Sequence, residues 1–257
     1  MTFPRAAATF AAAALAVTAL GACGDDSSND LTVCTNVPFE PFEMREGNEI
    51  VGFDADMMQL LADRLDKDLA WVELDFAAIE SGAAFNAGRC DIAAAGITIN
   101  DEREENLGMS DPYFRADQAL AVEDGSDIAS LDDLDGKKVG VQSASTGEAY
   151  AESVAEEYGF EVVKYDDMGT VANSMSAGSI DASIADLFNW EAVAEGNDFA
   201  IAEEIATDEY YGFAVDSDDD ELLDDANEMI AEALESGEYG EIYEQWIGVE
   251  YEGQLDE

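Results

Sequence analysis

Residues 91–106 read "DIAAAGITINDEREEN", and the fold turns on them. The apolar run "DIAAAGI" at 91–97 predicts a core strand. Thr98, Ile99 and Asn100 follow, and "DEREEN" then predicts a helix with Asn100 as its N-cap. A short β-like run feeding a helical one is the unit that repeats on both sides of this segment. Further strands are predicted at "LTVCT" (31–35), "AWVEL" (70–74), "QALAV" (118–122), "KKVGVQ" (137–142), "EVVKY" (161–165), "ASIAD" (182–186) and "YYGFAV" (210–215). The alternation implies an α/β protein with mainly parallel sheets.

Between the strands, apolar residues recur at i+4. Met57, Leu61 and Leu65 do so in one helix, Tyr150, Val154 and Tyr158 in another, and Val171 and Met175 in a shorter one. The C-terminal pair carries the clearest stripes: Leu222, Ala226, Ile230 and Leu234, then Tyr239, Ile242, Tyr243 and Trp246. All are expected to be core faces. The polar stretches "EDGSDIASLDDLDGK" at 123–137 and "VDSDDDE" at 215–221 break the pattern twice. Two breaks predict a second lobe inserted into the first, with two strands crossing between them and a hinge at the crossings.

The ends and the charge set the setting. Arg5, the apolar run "AAATFAAAALAVTAL" and "LGAC" at 20–23 predict an export signal over residues 1–22. "LGAC" resembles the bacterial lipobox, which makes Cys23 a lipidation site and 23–30 a polar tether. With Cys23 assigned to lipid, Cys34 lies in one candidate strand and Cys90 just before another. Two buried free thiols or one disulfide satisfy that placement, and export favours the disulfide. The chain carries 61 acidic and 10 basic residues, a net charge of −51. Its 47% hydrophobic content is that of a folded protein, so the charge predicts an acidic, salt-adapted shell and not disorder. Nucleic acid is excluded as a partner for want of a basic patch.

Catalytic arrangements are scarce. The absence of histidine excludes Ser-His-Asp and Cys-His chemistry and Cys/His zinc sites. No phosphate-cradling glycine motif occurs, and "DSDDDE" lacks the spacing of a calcium loop. No metal or cofactor is expected, and a binder is favoured over an enzyme. Against that background Arg103 stands out. Asp101 and Glu102 suit the positive end of a helix dipole, whereas a cation in the first turn does not. Local physics leaves two roles open: a surface arginine paired with Glu104 or Glu105, or a guanidinium fork that clamps an anion.

Six fragments in order carry a family likeness: "PFEPFE" (38–43), "IVGFDADMMQLLADRL" (50–65), "DIAAAGITINDERE" (91–104), "SDPYF" (110–114), "LDGKKVGVQSAST" (134–146) and "AGSIDASIAD" (177–186). From about residue 31 to 247 the chain resembles the family 3 extracellular solute-binding proteins of polar amino acid ABC transporters. The resemblance implies a two-lobed, type II periplasmic-binding-protein fold, with lobe 1 at 31–119 plus 211–257 and lobe 2 at 120–210. It implies a lipid-anchored monomer outside the cell membrane that holds a free amino acid between the lobes and delivers it to a permease.

The likeness also assigns roles. Arg103 matches the arginine that grips the ligand's α-carboxylate, and Ser145 and Thr146, at a helix start, match further carboxylate contacts. Ala95, Gly96 and Thr98 match positions around the ligand's backbone groups. Asp186 matches the acid that pairs with the α-ammonium, and Phe39 and Phe76 match aromatics that flank the side chain. Asn36 stands where binders of basic amino acids tend to carry an acid, and Gln142 adds no charge, so a neutral polar, glutamine-like ligand is expected. Two departures are Asn100 in place of the usual Thr, and Ala144 where Gly is common. An enzyme of the cyclohexadienyl dehydratase type or a sensory domain on the same scaffold is the alternative. The first would need a general acid among the pocket carboxylates; the second normally continues into a membrane helix, which "YEGQLDE" does not begin.

Overall fold

The computed structural model describes residues 29–253. The expected signal at 1–22, the expected lipidation site Cys23 and nearly all of the expected tether lie outside the described residues. Strand β1 (Asp30–Thr35) opens the described chain, followed by the hairpin β2 (Met44–Glu46) and β3 (Glu49–Val51). Helix α1 (Phe53–Leu65) comes next, then β4 (Asp68–Glu73), the short helices α2 (Phe76–Glu80) and α3 (Ala83–Asn86), and β5 (Ile92–Ala93). The turn-long α4 (Asp101–Glu104) and β6 (Leu107–Met109) complete this half.

The chain then crosses into β7 (Phe114–Glu123), β8 (Lys138–Gln142), α5 (Thr146–Tyr158) and β9 (Glu161–Tyr165). It continues through α6 (Met168–Ser176), β10 (Ala182–Asp186), α7 (Leu187–Ala194) and the long β11 (Phe199–Tyr211). Strand β12 (Ala214–Asp216) returns to the first sheet, and α8 (Asp220–Ser236) and α9 (Glu238–Ile247) pack on it.

Two five-stranded sheets result, ordered β4-β1-β5-β12-β6 and β11-β7-β10-β8-β9. In the first, β12 runs antiparallel to both β5 and β6, so the other four strands share one direction. In the second, β7 is the reversed strand, antiparallel to β10 and β11. The predicted mainly parallel α/β architecture is therefore present, with one reversed strand in each sheet. That reversal is what two crossings produce: β7 enters the second sheet and β12 re-enters the first.

Helices α1, α6 and α8 bury most of the face that their periodicity marks, whereas in α5 Tyr150, Val154 and Tyr158 are half-buried and Gly147 and Ala151 face the core. Met57 and Leu61 are fully buried in α1, as are Val171 and Met175 in α6. In α8 the stripe turns by one residue at its end, so Ala233 is buried and Leu234 is exposed. Aromatic rings gather where the chain changes sheet: Tyr113 stacks on Phe213 at 4.1 Å, and Phe42 meets Phe114 edge-on at 4.8 Å. Such pairs add about 1 kcal/mol each beyond burial and stiffen the crossings.

Three segments differ from expectation. "DIAAAGI" keeps only two residues in the ladder, because Gly96 takes φ +53° and gives its N–H to Asp54 Oδ2 at 3.1 Å. "YYGFAV" is two strands. At Gly212 and Phe213 the backbone N–H groups leave the second sheet, donating to Ile97 O (2.9 Å) and Ser110 Oγ (2.8 Å). Most of β11 has no apolar alternation, since Glu203, Glu204, Asp208 and Glu209 interrupt it, and it lies at the sheet edge where one side is solvated. Cys34 and Cys90 form the expected disulfide, with their Cα atoms 5.6 Å apart. It ties β1 to the start of β5, which are paired at Cys34 and Ala93.

Candidate functional site

The ends of four strands point into one cleft between the sheets. Asn36 and Phe39 follow β1, Ala95, Gly96 and Thr98 follow β5, Gln142 ends β8, and Asp186 ends β10. Phe76, Arg103, Ser145 and Thr146 complete the lining, around about 300 Å³ of empty space with its mouth included. All ten residues proposed from the sequence as ligand contacts are brought together here, and Gln142 joins them.

Arg103 is buried, with 3% of its surface exposed. Asn100 caps α4 as expected, its Oδ1 accepting the Arg103 N–H at 2.9 Å. The capped turn directs the side chain inward. One guanidinium nitrogen donates to Thr98 O at 2.7 Å, and another reaches Ala144 O in the second half of the chain at 3.2 Å. The guanidinium carbon lies 5.1 Å from the centre of the Phe76 ring. Neither Glu104 nor Glu105 makes an ion pair with it, so the surface-arginine alternative does not describe this residue. Burial lowers its pKa, opposed by the charges of Glu80, Asp186 and Glu209. A guanidinium starts so high that it stays protonated.

Opposite stands the start of α5. Ser145 is its N-cap, accepting the Glu148 N–H at 3.0 Å while donating to Gln142 O at 2.8 Å. Free N–H groups in this first turn make a natural seat for an anion. Ala144 holds φ +65°, the left-handed region, with its N–H on Glu148 Oε2 at 2.5 Å. The residue in place of the common Gly thus keeps the turn that Gly would favour, at a cost of about 1 kcal/mol. Thr98 and Thr146 hydroxyls face each other across the cleft at 3.3 Å, and Gln142 Nε2 donates to Asn36 Oδ1 at 2.8 Å.

Asp186 is 8% exposed and accepts from Gln118 Nε2 at 2.6 Å. It precedes α7 but makes no side-chain cap bond, which leaves its carboxylate to the cleft. Burial first, and then the charge of Glu209, push its pKa up to about 7, held back by Tyr211, Arg103 and Gln118. Beneath the β5 end lies a second acidic pair. Asp54 accepts from Gly96 N and, at 2.6 Å, from Tyr113 Oη, while Glu43 is fully buried beside it. Desolvation and the Asp54 charge raise the Glu43 pKa well above the carboxylate range. Gly96 leaves no room for a side chain, since an added Cβ would stand 2.5 Å from a Phe39 ring carbon.

Gln118, Glu209, Glu43 and Asp54 were not singled out from the sequence. Gln118 had a signal, a polar residue heading the apolar run "QALAV"; Glu43 and Asp54 lie in the quoted fragments "PFEPFE" and "IVGFDADMMQLLADRL", and Glu209 had none among 61 acids. Among the described residues no group of Asp, Glu or Cys side chains is arranged to hold a metal.

Comparison with known proteins agrees with this geometry. The family of bacterial extracellular solute-binding proteins, family 3, matches over residues 31–249. A probable histidine-binding protein of Neisseria gonorrhoeae is 29% identical over 258 residues, covering 95% of each chain. An ancestral arginine-binding protein solved with arginine superposes with a TM-score of 0.81 at 36% identity, covering 86% of this chain and 99% of the other. Its structure bound to glutamine gives the same TM-score, identity and coverage.

Proposed function

Because the chain belongs to the bacterial extracellular solute-binding proteins of family 3, we propose that it captures a free L-α-amino acid in this cleft and passes it to the membrane permease of an ABC transporter. The lobes are residues 31–119 with 211–257, and 120–210. The observation that carries this is the pairing of two buried, oppositely charged groups from different halves of the chain, Arg103 and Asp186, across one cleft. Arg103 and the Ser145–Thr146 turn receive the α-carboxylate, and Asp186 receives the α-ammonium. A zwitterion held at both ends binds the closed arrangement better than an open one, and that difference in affinity closes the lobes.

Phe39 and Phe76 flank the ligand's side chain, which runs toward the Asn36–Gln142 amide pair. Two neutral amides at that end support a carboxamide side chain, so glutamine is the assigned ligand, in line with the ancestral relative that was solved with it. The protein binds and releases without turnover. Export and a lipid on Cys23 place it on the outer face of the membrane as a monomer; Cys23→Ser should release it into the soluble fraction.

A thermal-shift screen of the twenty amino acids, in molar salt to screen the −51 net charge, tests the assignment. A ligand present at about 100 times Kd adds ~2.7 kcal/mol of stability. Glutamine should give the largest shift. A larger shift with arginine or lysine overturns the glutamine assignment and keeps amino-acid capture, and no shift with any amino acid overturns both.

A further inference from the structure

The nitrogen of the Gln118 side chain sits where three acceptors converge. Asp186 Oδ1 lies 2.6 Å from it, Glu209 Oε2 2.9 Å and Thr146 Oγ1 3.2 Å. A carboxamide has two hydrogens for these three acceptors, whereas an ammonium has three. The Gln118 Oε1 atom meanwhile is buried with no hydrogen-bond partner, so the amide is poorly matched to the place it occupies. Two of the acceptors, Asp186 and Thr146, line the cleft, and Glu209 Oε2 is 3.3 Å from the Thr146 hydroxyl and 3.2 Å from that of Thr207. Neither acid makes an ion pair with a lysine or arginine of the described residues.

We propose that Glu209 is a second, affinity-determining acid of the cleft, which with Asp186 and Thr146 forms a three-acceptor seat for the ligand's α-ammonium, and that the Gln118 amide holds this seat until the ligand arrives. The inference rests on amino-acid capture as proposed above. It adds a residue that is not itself in the lining, in strand β11, beyond a register shift between Ile205 and Glu209. That shift brings Glu209 to Gln118, whose backbone is in register with Asp186 on its other side.

The seat has a protonic consequence. The groups facing Asp186 are Glu209 and Tyr211 from β11, Arg103 from α4, and the buried Glu43 below. Against two acids, Arg103 is the one cation among the described residues that acts on Asp186, and the α-carboxylate claims it. With the seat empty Asp186 therefore retains a proton below neutral pH, as its burial beside the Glu209 charge requires. An arriving ammonium needs the Asp186 carboxylate ionised, so binding expels that proton. Affinity accordingly rises with pH, by about tenfold per unit below pH 7 where one proton leaves.

Calorimetry with L-glutamine and L-arginine tests this on the wild type and on Glu209→Gln. For whichever amino acid binds, the variant should be at least tenfold weaker at pH 8.0, above the range in which Asp186 holds a proton. The wild type, titrated at pH 6.0 in buffers of different ionisation enthalpy, should release close to one proton per ligand. Equal affinities at pH 8.0 overturn the proposal. So does wild-type binding at pH 6.0 without proton release, a measurement that needs no variant to fold. A wild type that binds neither of these, nor any other of the twenty amino acids in the thermal-shift screen, overturns the capture reading itself, and this inference with it.

Discussion

Replacing Arg103 with methionine removes the guanidinium and keeps most of the volume of its stem, which separates charge from packing. The ligand carboxylate, held about 4 Å from the guanidinium carbon at an effective dielectric near 20, interacts with it by roughly 4 kcal/mol. That lies inside the 2–5 kcal/mol typical of cutting one partner from a buried, hydrogen-bonded charge pair. It corresponds to about a thousandfold loss of affinity. The empty protein should respond far less. Arg103 has two carbonyl partners and the Phe76 face, at 2.7, 3.2 and 5.1 Å, but no carboxylate partner, and burial already disfavours its charge. An apolar side chain of similar size in such a place is close to neutral for stability. Arg103→Met should therefore melt within about 3 °C of the wild type, or ~1 kcal/mol, while calorimetry finds the amino acid's Kd raised about a thousandfold. A loss smaller than tenfold, with the fold intact, would refute the clamp.

Three further outcomes follow from the same geometry. The Cys34–Cys90 bridge spans 56 residues of chain, a closure worth about 4 kcal/mol in the chain-entropy description. The double serine variant should melt roughly 10 °C lower in calorimetric scans. Glu43 has a raised native pKa, so its contribution to stability is complete below the ordinary carboxylate range and is lost as pH climbs toward the native value. Glu43→Gln removes that loss, up to ~1.4 kcal/mol per pH unit, so the variant should gain on the wild type between pH 5 and pH 8 in denaturant titrations. A gap that does not widen with pH would show that Glu43 ionises as readily in the folded protein as in the unfolded chain. Gly96→Ala must push Phe39 aside and strain a φ of +53°. It should cost about 1–3 kcal/mol of stability and weaken binding at least tenfold by calorimetry.

Much of the molecule was legible because local rules and tertiary demands coincide. Helices α1, α6 and α8 bury the stripes that their spacing marks, and "EVVKY" and "ASIAD" match strand bounds residue for residue. The ordered motifs around Arg103, Ser145 and Asp186 pointed to residues that now share one cleft. Where the chain changes sheet, local reading failed. "YYGFAV" looks continuous, and its break at Gly212 exists because the next ladder belongs to the other sheet. Short helices such as α2 and α3 lack the length to show a period.

The sequence by itself determined the α/β alternation, the order of the motifs and the chemistry available: no histidine, few cations, and an arginine at a capped turn. Only the tertiary structure decided where Arg103 points and which acids join Asp186. Glu209, Glu43 and Asp54 are indistinguishable by composition from dozens of solvated neighbours. Strand register, a bulge and the crossing of two sheets bring Asp186 and Glu209 to one amide nitrogen, and place Glu43 and Asp54 beneath the loop that carries Gly96. A carboxylate's role follows from what surrounds it, and in a chain this acidic the surroundings arise only on folding.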